Sequence, residues 1–187
     1  MKTNKYIMTL GIGIFAYTAV GADKTAQQIP NRLIDYPGFV RDAAKVGEVR
    51  QTRRVTEEEF IRMATEPASV VLDARSDDKY QLLHVKGARH LSLPNFTEAE
   101  LQKVIPNKGT QVLIYCNNNF ENEPVAFASK VAKASLNIYT FNSLYSYGYT
   151  NVYELGPLLD VKKTKLQLAG TTAKGFHSQE REPSAQK

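Results

Sequence analysis

The chain has 187 residues, 42% hydrophobic and 23% charged, which suits one domain with a core of its own and excludes a fibrous or wholly disordered polypeptide. Its formal net charge of +5 is a weak excess, and no segment interleaves dense basic residues with aromatics, which argues against a nucleic-acid partner. The single cysteine excludes an internal disulfide, and His84, His90 and His177 lack ligand-like spacing with acidic partners, so no metal site is expected.

Lys2 and Lys5 precede an apolar run over residues 6–20, and small Gly21 and Ala22 follow before polar Asp23. A basic start, a short apolar middle and a small-residue exit predict a secretory signal peptide over residues 1–22. The run is too short for a membrane anchor and is diluted by Gly11, Gly13, Tyr17 and Thr18. The expected location is periplasmic or secreted, with no stable membrane anchor once the signal is cleaved. Residues 23–48, with Pro30, Pro37 and Gly47, read as an extension lying on the surface of a domain spanning 49–161. Residues 49–55 alternate weakly, as a short edge strand would.

Thr56 followed by Glu59 predicts a helix start, with Phe60, Ile61 and Ala64 as its apolar face and Pro67 as its stop. A buried strand is expected at 69–74, a short helical segment at 76–83 and a second strand at 87–93. Thr97 and Glu100 repeat the capping pattern before Leu101, Val104 and Ile105. Residues 110–115 are the clearest strand, and 151–155 read as another. Between them, either residues 124–134 form an extra helix, or they are a long loop and the helix is 137–147, with Asn137 as its cap and Ile138, Phe141, Leu144 and Tyr145 at helical spacing. The tyrosines at 139, 145, 147 and 149 could line a pocket, but an aromatic stripe on a helix more commonly faces the core. Lys162, Lys163 and Lys165 open a C-terminal tail over 162–187 that reads as solvated and partly disordered.

Strands thus alternate with short helices, and near-continuous apolar runs such as Val70-Val71-Leu72 and Val112-Leu113-Ile114 suit strands buried on both faces. The pattern predicts an α/β fold with a mostly parallel sheet. In such sheets ligands bind beyond the carboxyl ends of the strands. Cys116 is the first residue past one such end and the one side chain suited to covalent chemistry. Asp73 and Arg75 lie just past another.

Four segments carry a resemblance to the rhodanese-like family. Val70-Val-Leu-Asp-Ala-Arg75 resembles its first core strand with an Asp-x-Arg ending. His84-Val-Lys-Gly-Ala-Arg-His-Leu91 resembles its Gly-His-Ile-x-Gly-Ala motif, with Leu83 replacing the first glycine. Val112-Leu-Ile-Tyr-Cys116 resembles the strand that delivers the active-site cysteine. Gly148-Tyr-Thr-Asn-Val-Tyr-Glu-Leu-Gly156 resembles the last core strand, with Pro157 in place of a second glycine. The resemblance covers about residues 50–160, and the order and spacing of its pieces make it specific. It implies a mostly parallel five-stranded sheet with helices on both faces. It also implies a sulfurtransferase or persulfide carrier in which Cys116 takes a sulfane sulfur from a donor and passes it to a thiol or cyanide, with no cofactor.

That chemistry uses a thiolate, which inward-pointing N–H groups can stabilise. The expected cradle is Asn117, Asn118, Asn119, Phe120, Glu121 and Asn122, since Asn tolerates left-handed backbone and offers amide donors. Asp73, Arg75 and His84 are possible supporting residues: Arg75 either reaches the site or forms a structural ion pair, and Asp73 and His84 are expected to hold loops in place. Two departures stand out. Family members active on thiosulfate carry an arginine shortly after the cysteine, where this chain has Glu121 or, for a loop longer by one, Asn122. Glu121 and Glu123 would oppose an anion if they face the sulfur, so a small persulfide or a protein is the expected donor. The stretch from Cys116 to Gly148 is also about twice what the family needs before its last core strand, and the surplus reads as a lid. The alternative is a non-catalytic binding module on this scaffold whose partner docks on residues 117–136.

Overall fold

The computed structural model describes Ile29 and residues 31–173; the signal peptide expected at 1–22 and the far end of the tail lie outside the described residues. The chain divides into residues 1–34 and 35–187. In the first unit, Ile34 N–H donates to the Asn31 carbonyl at 3.2 Å to close a turn. The second unit is the α/β domain.

Within and just beyond the expected surface extension lies helix α1, Tyr36–Arg50. Asp35 caps it by accepting from Gly38 N–H at 2.8 Å, and Pro37 sits in the first turn, where its missing N–H costs nothing. Only Val46 of this helix is buried, and it packs on the helix before the last core strand. Strand β1 (Arg54–Val55) follows, then α2 (Glu57–Ala64), whose Thr56 hydroxyl accepts from Glu59 N–H. Next come β2 (Ser69–Asp73), α3 (Asp77–Leu82), β3 (His84–Val85) and β4 (Arg89–His90). The strand expected at 87–93 is therefore confined to two residues. Helix α4 (Glu98–Val104) is capped by Thr97 and leads to β5 (Gln111–Tyr115).

Strands β5, β6 (Phe120–Glu121), β7 (Val152–Leu155), β8 (Leu159–Asp160) and β9 (Leu168–Ala169) complete the set, with α5 (Leu136–Ser146) before β7. The five-stranded sheet has the order β1-β7-β5-β2-β4, and every pairing in it is parallel. Successive strand residues point to opposite faces. Val71 and Leu113 pack with Phe60 and Met63 of α2, while Val70, Leu72, Val112 and Ile114 pack with Leu101 of α4 and Phe141 and Leu144 of α5. The helices therefore cover both faces, and the central strands are apolar throughout because both faces are buried.

Residues 124–134 carry no α-helix; the helix is α5, as the second of the two readings has it. Asn137 is not its cap. Ser135 occupies that position, and Asn137 lies inside the first turn. Gly148 (φ +84°) ends the helix, with Tyr149 N–H reaching back to the Leu144 carbonyl at 2.9 Å. The tail expected from residue 162 is folded onto the domain as far as Ala173: β9 pairs antiparallel with β3, and Thr171 and Thr172 N–H groups donate to Gln81 and Leu82 carbonyls. A Cβ on Gly170, whose φ is +124°, would lie 2.5 Å from the Leu82 oxygen, so this crossing requires glycine.

Candidate active site

After β2 the chain goes to β4 on one side, and after β5 it goes to β7 on the other. The carboxyl ends of β2 and β5 thus flank the crevice where open α/β sheets bind ligands. Cys116 follows β5 directly and is 1% exposed. It heads a tight 3-10 turn over Asn117–Asn119, in which Asn119 N–H donates to the Cys116 carbonyl at 3.1 Å and Phe120 N–H to the Asn117 carbonyl.

The six residues expected as a cradle differ in their placing, and the Asn119 N–H also faces the Cys116 side chain. The turn consumes the N–H groups of Asn119 and Phe120 and leaves those of Asn117 and Asn118, the first of the turn, without a partner inside it. Beyond the turn, β6 pairs parallel with β8, which sends Phe120 into the core against Phe127 and leaves Glu121 exposed. Glu123 accepts from Ala126 N–H at 3.4 Å. Neither acid lines a cavity beside the cysteine, so the opposition to anions expected from them is not built. The left-handed residue is Asn122, at φ +67°.

The three asparagine side chains act as ties. Asn117 Nδ2 donates to the Ala128 carbonyl at 2.9 Å, and Asn118 is bonded twice to Lys130, donating to its carbonyl at 2.7 Å and accepting from its N–H at 3.1 Å. Together they draw residues 128–130 over the loop. Asn119 Oδ1 accepts from Cys116 N–H at 2.9 Å and from Asn137 Nδ2 at 3.0 Å, while its Nδ2 donates to the Leu155 carbonyl at 2.7 Å. One amide thereby joins the nucleophile's backbone, α5 and the end of β7. The Cys116 Sγ itself meets Ser135 Oγ at 3.5 Å.

Of the three supporting residues, Arg75 lines a cavity beside the turn, and Asp73 and His84 lie behind it. Arg75 is 2% exposed and bidentate on Asp73, and it also donates to the Ala126 and Leu83 carbonyls at 3.0 and 2.7 Å. Burial works against its charge, but the hydrogen bond and field of Asp73 outweigh that and raise its pKa. The Tyr115 hydroxyl donates to Asp73 and accepts from Val85 N–H. Burial, with the Asp73 charge adding to it, pushes the Tyr115 phenol well above its ordinary range. His84 stacks on Tyr80 at 3.9 Å with Nδ1 on the Tyr80 carbonyl, and His90 Nε2 lies 2.8 Å from the Arg75 carbonyl. Of the tyrosine stripe, Tyr149 is buried and bonded to Ile105, Tyr147 is bonded to Phe96, and Tyr139 is exposed.

Two cavities flank the Cys116 turn. One, of about 340 Å³, lies over the ends of β2 and β4 and reaches Arg75, Asn117, Lys79 and Lys130. The other, of about 330 Å³, lies on the β7 side. Ser135, Arg50 and Arg54 in its wall were not legible as site residues, since two precede the resembling segments and the third sits in the surplus stretch. Among the described residues no group of three His, Cys, Asp or Glu side chains is placed to hold a metal ion, and no helix is long and apolar enough to cross a membrane.

A model of the rhodanese-like domain family matches residues 56–156. Among solved structures, the rhodanese-like domain of the Alr3790 protein from Anabaena sp. is 18% identical with a TM-score of 0.46, covering 72% of this chain and 92% of that one. A rhodanese with anions from E. coli is 22% identical with a TM-score of 0.38, covering 55% and 98%. The BH2092 protein from Bacillus halodurans is 17% identical with a TM-score of 0.41, covering 71% and 88%. No curated protein matches the chain.

Proposed function

The chain belongs to the rhodanese-like domain family, and on that premise we propose that it is a sulfurtransferase or persulfide carrier acting through Cys116. The observation that carries the reading is the place of Cys116: directly after a central parallel strand, at the head of a tight turn, beside the crevice of the sheet. The Cys116 thiolate attacks the outer sulfur of a persulfide R–S–SH. A Cys116 S–S bond forms, the donor S–S bond breaks, and its electron pair leaves on R–S⁻. Attack by a second thiolate or cyanide on the terminal sulfur of the Cys116 persulfide returns the thiolate. The transfer balances without an oxidant or a cofactor.

The backbone N–H groups of the Asn117–Asn119 turn, with that of Asn119 facing the Cys116 side chain, and the Ser135 hydroxyl at 3.5 Å are the donors proposed to stabilise charge on sulfur. Arg75 is spent on Asp73, so it does not clamp a dianion from the β2 side, which favours a small persulfide or a protein donor over thiosulfate. The basic start, apolar run and small-residue exit of residues 1–22 support action outside the cytoplasm. The test is thiocyanate release: protein loaded with a small persulfide and treated with cyanide yields thiocyanate, and Cys116→Ser yields none while remaining folded. An unfolded Cys116→Ser variant would make Cys116 a packing residue and end the proposal.

A second reading, a binding module, is favoured by the burial of Cys116 and by exposed Val125 and Val131 on the segment that covers it, 60% and 77% exposed. It predicts that no small donor modifies Cys116 and that ligand binding survives Cys116→Ala.

A further inference from the structure

The 330 Å³ cavity has a chemical character that the turn alone does not supply. Its wall includes Arg50 from α1, Arg54 from β1, Glu154 from β7, Asn118, Ser135 and Asn137. Ser135 is the shared wall between cavity and nucleophile, because it lines the one and its Oγ contacts Cys116 Sγ. Among the described residues, no side chain lining the 340 Å³ cavity is hydrogen-bonded to the sulfur.

Charge and unmet hydrogen bonding then specify the occupant. Glu154 is 2% exposed and takes Arg50 Nη2 at 2.7 Å and Arg54 Nε at 3.0 Å. Two guanidiniums against one carboxylate leave one positive charge unmatched. The second guanidinium is the freer of the two: the Arg54 side chain is 57% exposed, and its Nη2 donates to the Gly156 carbonyl. A cationic ligand is repelled, a dianion brings one charge too many into a partly enclosed space, and a monoanionic carboxylate matches. Asn137, 5% exposed, lines the same cavity and leaves its Oδ1 without a hydrogen-bond partner. Buried acceptors are nearly always satisfied, so the wall lacks one N–H or O–H donor.

We propose that this cavity is the entry pocket for the small-molecule sulfur donor, and that it selects a persulfide bearing one carboxylate, held by Arg54, and an N–H or O–H group, held by Asn137. The proposal rests on the sulfurtransferase reading above. Arg50 and Arg54 precede the residues that match the family model, so the selectivity is supplied by this chain's own N-terminal segment.

Two probes differ by the carboxylate alone: N-acetylcysteine persulfide and N-acetylcysteamine persulfide. In each case Cys116 thiolate takes the outer sulfur and the probe leaves as its thiolate. The expected result is persulfidation of Cys116, followed by intact mass, about tenfold faster with the carboxylate probe, as one charge-assisted pair supplies. Arg54→Gln brings the ratio of the two rates close to one, with Arg54→Lys between. As a readout free of any variant, N-acetylalanine, which has the carboxylate and N–H but no sulfur, slows loading of the wild-type protein by the carboxylate probe in a saturable way. Equal rates with both probes, or no effect of N-acetylalanine, would overturn the pocket assignment while sulfur transfer stands. Loading by neither probe would overturn both.

Discussion

Arg75 grips the carboxylate of Asp73 with Nη2 at 2.6 Å and Nε at 2.9 Å, and both side chains are closed off from solvent. The pair converts a candidate active-site cation into a brace that ties β2 to the Ala126 and Leu83 carbonyls. Removing one partner of a buried pair leaves the other uncompensated. Arg75→Ala is therefore expected to cost about 3–5 kcal/mol in urea unfolding. A variant of wild-type stability with lost sulfur transfer would instead place Arg75 in the chemistry.

The same brace sets an alkaline limit. Tyr115 keeps its proton in the folded state at pH values where the unfolded chain, with a phenol near pH 10, releases it. Its contribution to stability is complete below about pH 10 and is lost as the pH rises from there through the raised folded-state value. Tyr115→Phe is expected to lower stability at neutral pH by about 1–3 kcal/mol, since Asp73 and Val85 lose a partner, yet to make the loss above pH 10 shallower. Thermal melts across pH 7–11 measure both effects.

The segment over Cys116 is held by side chains that can be removed singly. Asn118 makes its two bonds to Lys130 at the surface. Asn118→Ala should leave global stability within about 1 kcal/mol and raise the rate of iodoacetamide labelling of Cys116 roughly five- to tenfold, through easier local opening. Labelling at the wild-type rate would mean that access does not run through this segment.

Asn119 is the opposite case. It is 6% exposed and serves Cys116 N–H, Asn137 and Leu155 at once. Asn119→Ala is expected to lose about 2–3 kcal/mol in chemical unfolding and to slow loading of Cys116, because the turn loses its register against β7. Stability unchanged from wild type would remove the proposed joint.

The contrast between Asn118 and Asn119 also marks what the sequence made legible. Strands β2, β5 and β7 and the starts of α2 and α4 could be read because apolar runs and Thr caps are local signals. Cys116 could be placed because a strand end in a parallel sheet is predictable. Helix α1 could not: only Val46 is buried, so it lacks a core stripe, and Pro37, Gly38 and Gly47 resemble loop punctuation. The two-residue strands β3 and β9 exist only through their pairing across the domain. Asn137 was legible as a polar residue at a helix start, but its bond to Asn119 depends on where residues 123–135 fold back. Glu121 and Glu123 could be counted but not aimed, because the pairing of β6 with β8 decides which side chain faces out.

The most direct measurement is intact mass of the protein after incubation with a small persulfide donor and, separately, with thiosulfate. The account predicts a gain of one sulfur atom from the persulfide, removed by cyanide and absent in Cys116→Ser. No gain from either donor, on folded protein with a free thiol, would contradict it.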